Sequence, residues 1–230
     1  MNMRHVSCVM RHALSIVLLA SCFILLASAQ ASQKPKETFA REITPIQAIK
    51  ELDAMAEQYR VGKNLTEADL EFNRQLKKKI LRGTFDLREL AKLALADQWN
   101  ILSPKEQDEF VELLTNLLET RSVFAKEKVV EKGESKGYSI NYKGQDYKDK
   151  TKTDALAKTT VSLKTKKVKV VLNYRLKKYS SDWKIYDVIM DDASLVSNYR
   201  YSFGNIIKKQ GYPELVRRMK NKLVEFQTKQ

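Results

Sequence analysis

Histidine and cysteine are missing from nearly the whole of this 230-residue chain. Its two histidines and two cysteines, His5, His12, Cys8 and Cys22, all lie within the first 31 residues. Beyond them there is neither an imidazole nor a thiol. That removes the commonest general base, the thiolate nucleophile, and the soft ligands that zinc, copper and iron sites use. No disulfide can form there either, so stability has to come from burial. Glycine is scarce, with seven residues that never cluster, which excludes a phosphate-cradling loop. Acid is short as well: 28 Asp and Glu face 42 Lys and Arg, for a formal charge of +14.

The histidine- and cysteine-bearing segment has the three parts of a secretory signal. Arg4 and Arg11 form a charged head, and an apolar run from Ala13 to Ala29 follows, broken only by Ser15, Ser21, Cys22 and Ser28. It closes on Ala27-Ser28-Ala29 or Ala29-Gln30-Ala31, a small-x-small exit. Residues 1–31 are therefore expected to be cleaved, and 32–42 to form a flexible polar leader. Two other readings of the segment are an N-terminal anchor, for which the run is short, and a lipoprotein with Cys22 lipidated behind Leu19-Ala20-Ser21. Cleavage leaves a formal charge of about +12. An exported protein of that charge meets no nucleic acid. Anionic lipid surfaces and acidic protein partners are its natural counterparts, although scattered lysines also serve solubility alone.

From residue 43 the pattern is helical, then two-periodic, then helical again. Thr44-Pro45 is a cap with proline at the first helical position, and Ile46, Ile49, Leu52, Met55 and Tyr59 follow at near-helical spacing. Thr66 starts a second helix, Asp86 a third, and Ser103-Pro104-Lys105-Glu106 a fourth with a complete capping box. Alternation then takes over. Tyr138, Ile140 and Tyr142 form one run and Val161 and Leu163 another. In the clearest strand Val168, Val170, Leu172, Tyr174 and Leu176 oppose Lys169, Asn173, Arg175 and Lys177. Trp183 to Met190 is a further strand, and helices return from Ser194 to Lys209 and after Pro213. This order predicts an α+β domain over 43–230: a helical part (43–130), then an antiparallel meander and C-terminal helices (137–227).

Catalysis finds little support in these residues. The densest acid cluster, Asp187, Asp191 and Asp192, lacks the alternation and turn glycine of a calcium loop and reads as a strand exit with helix-capping acids. No serine sits in a nucleophile elbow. A histidine-free hydrolase working with carboxylates is the weakest of the functional readings. An exported scaffold or adaptor with a solid core is a stronger one, because cores and ligand cavities use the same apolar side chains.

The carboxy-terminal third narrows the choice. Trp183-Lys184-Ile185-Tyr186-Asp187-Val188, then Ser194-Leu195-Val196-Ser197-Asn198-Tyr199-Arg200, then Phe203 and Gly211, resembles the MlaC family of periplasmic phospholipid-binding proteins, also called the toluene-tolerance auxiliary component. Phe85-Asp86-Leu87, Trp99 and Leu102-Ser103-Pro104-Lys105-Glu106-Gln107 before Phe110 resemble it in the same order, so that the likeness spans 43–227. One departure is Leu95-Ala96, where the family often has Leu-Gly.

The resemblance implies a nuclear-transport-factor-like sheet joined to helices, with phospholipid acyl chains held in a cavity between them as cargo, and no cofactor, metal or catalytic residue. It also implies exchange of lipid with an inner-membrane ABC transporter complex and an outer-membrane lipoprotein–porin complex, with transient membrane-surface contact. The candidate lipid-binding residues are Leu114 and Leu117 on the fourth helix; Val161, Leu163, Val170, Leu172, Tyr174, Ile185 and Ile189 on the strands; and Leu195, Tyr199 and Phe203 on the helix after the sheet. Asn198 and Arg200 are expected to be architectural, with Arg200 paired to Asp187 or Asp191. Lys166, Lys167, Lys169, Arg175, Lys177 and Lys178, with Lys148, Lys150 and Lys152, are expected to form a basic docking surface.

Overall fold

The computed structural model describes residues 42–62, 64–120, 138–163 and 168–228. The expected signal and leader (1–41), the continuation of the fourth helix to 130, Lys166, Lys167 and the side chain of Leu163 lie outside the described residues.

Local chemistry starts each helix where the sequence marks it. Helix α1 (Pro45–Ala56) opens on a capping box, with Gln47 N–H donating to Thr44 Oγ1 (3.3 Å) and Thr44 N–H to Gln47 Oε1 (2.7 Å). Thr66 and Asp69 do the same for α2 (Glu67–Thr84), and Asp86 caps α3 (Leu87–Leu95) by accepting from Glu89 N–H at 2.9 Å. Such caps contribute about 1 kcal/mol each. A short helix the pattern did not foretell, α4 (Asp97–Ile101), follows a reversal at Ala96, whose φ of 50° is positive. Ser103 and Glu106 then start α5 (Pro104–Thr120).

The strands form one antiparallel sheet in chain order: β1 (Tyr138–Tyr147), β2 (Asp154–Leu163), β3 (Val168–Tyr179), β4 (Asp182–Met190) and the two-residue β5 (Ala193–Ser194). Its register slips twice, between Tyr142 and Gly144 on β1 and opposite Arg175–Leu176 on β4. Each slip inserts an extra residue and exchanges the two faces beyond it. Helix α6 (Leu195–Gln210) is capped by Ser194 and stopped by Gly211, whose φ of 83° suits glycine, and α7 (Tyr212–Gln227) closes the chain. The architecture is α+β, with seven helices among the described residues.

Helix α1 packs on β1 and β2, where Ala155 and Ala157 are fully buried and let the helix approach closely. Helix α2 packs on α1 and α5; α3, α5, α6 and α7 pack on one another, with α3 and α6 also meeting β4. The free edge of β4 is covered by β5 and by Phe85, which bridges to Ile185 while Asp86 N–H donates to the Ile185 carbonyl (2.8 Å).

The Trp-x-x-Tyr-Asp segment of β4 ties the layers together. Trp183 Nε1 donates to the Ile43 carbonyl (3.0 Å), and the Tyr186 hydroxyl donates to the Asp154 carboxylate (3.0 Å). Buried Asp187 accepts from Ser194 Oγ (2.7 Å) and Val196 N–H (3.0 Å) at the start of α6, with Arg175 at 3.4 Å. The pairing expected for Arg200 is thereby corrected. Asp187 is taken by Arg175, and Asp191 turns to accept from Val171 N–H (2.9 Å). Arg200 instead donates Nε to the Leu93 carbonyl (2.9 Å), near the end of α3. The acids leave the sheet as caps and turn residues, and no metal-holding cluster of three or more occurs among the described residues.

Candidate functional site

The face of the sheet turned toward α1 can be followed row by row from the strand register. One row is Tyr147, Ala155, Leu176 and Ile185; the next holds Gln145, Ala157, Tyr174 and Val188; then come Tyr142, Thr159, Leu172 and Met190; then Ile140, Val161 and Val170; and last Tyr138, Leu163 and Val168. Rows lie roughly 7 Å apart along the strands. Ala155, Leu176 and Ile185 of the first row are 0% exposed, although Tyr147 at the sheet edge is 37% exposed. Along β3 cover thins through Tyr174 (5%) and Leu172 (7%) to Val168 (45%), and Met190 on β4 is 41% exposed, while Val161 on β2 stays buried. Along β3 and β4 the apolar face is thus sealed at one end and open at the other. Two-period sequence made the face, and helix placement decides where it opens.

Besides Gln145 and Thr159, one charged spot interrupts it. Asp53 of α1 is buried, four residues after Ile49 and so on the same helical stripe. The Tyr142 hydroxyl donates to its Oδ2 at 2.8 Å, and Lys50 Nζ sits over the Tyr142 ring, 5.2 Å from its centroid. Burial first, and then the neighbouring Asp53 carboxylate, push the Tyr142 and Tyr174 phenols well above the ordinary tyrosine range; burial, Glu57 and Asp53 do the same for Tyr138. These hydroxyls stay protonated, as donors. A carboxylate on an apolar helix stripe was the signal in the sequence for this spot, and it passed unremarked.

The structure groups some candidate residues and separates others. Val161, Val170, Leu172 and Tyr174 share the inner face, and the backbone of Leu163 pairs into its last row. Ile185 is on that face at its sealed end. Ile189 is not: it pairs with Asn173 on the opposite face, because the β4 bulge passes the inner positions to Val188 and Met190. Leu114 and Leu117 are buried on α5, whose main neighbours are α2, α3 and α7. Phe203 belongs to an aromatic junction of helices, edge-on to Phe110 (5.9 Å) and stacked with Tyr199 (5.1 Å), while Leu195 is half-buried at the first turn of α6.

The basic surface is partly neutralised. Arg175 faces Asp187, Lys177 meets Glu89 (3.2 Å) and Lys178 meets Glu42, which leaves Lys169 exposed. A separate groove of about 770 Å³ lies between the 57–66 loop, α2 and the last turns of α5 and α7. Its Arg60 and Arg74 already lean on Asp69 (2.7 Å) and on Glu67 and Glu71 (2.8 Å), and none of the candidate residues line it. The inner face of the sheet is the more continuous apolar surface.

The family model described as MlaC protein matches residues 50–221. No curated protein sequence matches the chain. Among solved structures, the fold resembles a phospholipid-binding protein from Ralstonia solanacearum determined in complex with a phospholipid. The likeness has a TM-score of 0.59 at 19% identity and covers 78% of this chain and 94% of that one.

Proposed function

The chain belongs to the MlaC family, and from that premise we propose that it is an exported carrier of phospholipid, burying acyl chains reversibly and making or breaking no bond. The observation that carries the reading is the inner face of the sheet, apolar along β3 from Leu176 to Val168 and uncovered at Val168 and at Met190 of β4. The likeness to a fold solved with phospholipid bound supports the same reading. A two-chain lipid exposes ~30 methylenes when it crosses water, at ~0.8 kcal/mol each, which amounts to a barrier of order 20 kcal/mol. An apolar face that receives the chains removes most of it. On this reading residues 1–31 direct export to the periplasm, and lipid passes between an inner-membrane ABC transporter complex and an outer-membrane lipoprotein–porin complex.

Native mass spectrometry of the purified protein tests the proposal. Phospholipid co-purifying at near one per chain, and reloading from vesicles after removal, is the expected result. A folded protein that takes up no lipid from vesicles refutes it and leaves the adaptor reading with a solid core.

A further inference from the structure

The two edges of the sheet end differently. The β4 edge is closed by β5 and Phe85, whereas no described strand pairs with the outer edge of β1. The ends of the hairpins fix which main-chain groups that edge presents. Lys148 N–H donates to the Asp154 carbonyl and Lys178 N–H to the Thr153 carbonyl, both at 2.8 Å. Successive residues of a strand direct their N–H and C=O alternately to one neighbour and to the other. On β2, Leu156, Lys158, Thr160 and Ser162 therefore face β1, where their partners are Asp146, Gly144, Asn141 and Ser139. The main-chain groups of Ile140, Tyr142, Gln145 and Tyr147 point outward instead, and no described residue bonds them. Such a row is a template for one more strand.

Charge restricts what that strand can be. Lys143 lies on β1 itself, Lys50 of α1 sits over the Tyr142 ring, and Lys148 and Lys150 follow in the turn to β2. All four are exposed, and none forms a salt bridge with a described residue. The acids alongside are fewer or already engaged. Asp146 is paired with Lys158, Asp149 is held inside its turn by the Thr151 and Thr153 hydroxyls, and Glu57 lies toward the Tyr138 end. Two copies joined edge to edge would set the lysines of one against those of the other, which disfavours a second copy of this chain. We propose that the β1 edge docks an extended acidic segment of a partner protein, which joins the sheet as a further strand with its carboxylates beside Lys50, Lys143 and Lys148. Main-chain bonds hold such a segment, and the lysines select its charge. The inference goes beyond the lipid reading and does not depend on it: a partner at β1 leaves Val168 and Met190 on β3 and β4 open. Lysines also guard exposed edges against pairing, and guarding alone predicts an edge that binds nothing.

The test selects binders to the purified protein from a library of random dodecapeptides and maps each one by amide hydrogen exchange. The expected peptides carry net negative charge and protect the amides of Ile140, Tyr142, Gln145 and Tyr147, while the alternate amides, already bonded to β2, change little. Lys143→Glu combined with Lys148→Glu should weaken them about tenfold, and added salt should weaken them in the wild-type protein. A selection that yields no acid-rich peptide, or peptides whose protection falls on other amides, overturns the inference and needs no variant to fold. So does an affinity that ignores the charge reversal. A dimeric mass with the same amides protected in peptide-free protein also overturns it and gives the edge to a second copy. Lipid uptake measured in parallel keeps the two readings apart, because its failure refutes the carrier and leaves the edge site standing.

Discussion

Truncating Asp187 to alanine should cost this fold about 3 kcal/mol without touching the open end of the inner face. The carboxylate is 0% exposed and serves three partners: Ser194 Oγ, Val196 N–H and the Arg175 guanidinium. Breaking a fully buried ion pair from one side costs about 3–5 kcal/mol. Here the Arg175 side chain is 38% exposed, so water takes over part of its solvation and the charge term falls toward the low end. The Val196 N–H, left in a buried helix start with no acceptor, contributes about 1–3 kcal/mol by itself. A loss of ~3 kcal/mol corresponds to a drop of roughly 6–12 °C in Tm for a domain of this size. Asp187→Asn keeps the Val196 acceptor and loses the charge, and should fall between the two. Thermal unfolding followed by circular dichroism, with a urea titration to fix the free energy, measures both. A Tm for Asp187→Ala within a degree of wild type would show that the joint between β4 and α6 does not depend on this carboxylate.

Three further outcomes can be checked on the same preparations. Ala96→Gly should raise Tm by about 2–4 °C, because alanine at a φ of 50° and ψ of −126° holds strain of about 1 kcal/mol that glycine does not feel; an unchanged or lower Tm would mean that the turn carries no strain. Arg200→Lys should lower Tm by about 1–3 °C through its bond to the Leu93 carbonyl, with lipid stoichiometry unchanged by native mass spectrometry; weakened lipid binding at unchanged Tm would make it a ligand contact. Leu172→Asp should abolish co-purifying lipid, and folded variant with undiminished lipid content would remove the middle rows of the inner face from the site.

Helix starts and the one-sided strands were legible in the sequence because they depend on residues no more than four apart. Thr44 with Gln47, Thr66 with Asp69, Asp86 with Glu89 and Ser103 with Glu106 each satisfy orphan N–H groups within a single turn. The alternation of Val170, Leu172 and Tyr174 required only that side chains on a strand point to opposite faces. The Leu95-Ala96 departure was visible as well, although its meaning, a positive φ at Ala96, was not.

Three-dimensional packing decided the rest. The bulges at Tyr142–Gly144 and opposite Arg175–Leu176 reverse the face parity, so Ile185 and Ile189, both candidates from the sequence, fall on opposite faces, and Val188 and Met190 hold the inner positions. Leu114, Phe203 and Leu172 are equally apolar as letters, yet the first two fill junctions between helices and the third faces the open part of the sheet. Asp53 meets Tyr142 across 89 residues, Arg175 meets Asp187 across a strand pair, and Arg200 reaches the Leu93 carbonyl rather than an acid. Periodicity and capping are short-range and read directly from neighbouring residues. Burial, bulge parity and the partner of a charged group follow from which surfaces the folded chain brings together, and that is settled only when the helices close over one end of the sheet and leave the other end open.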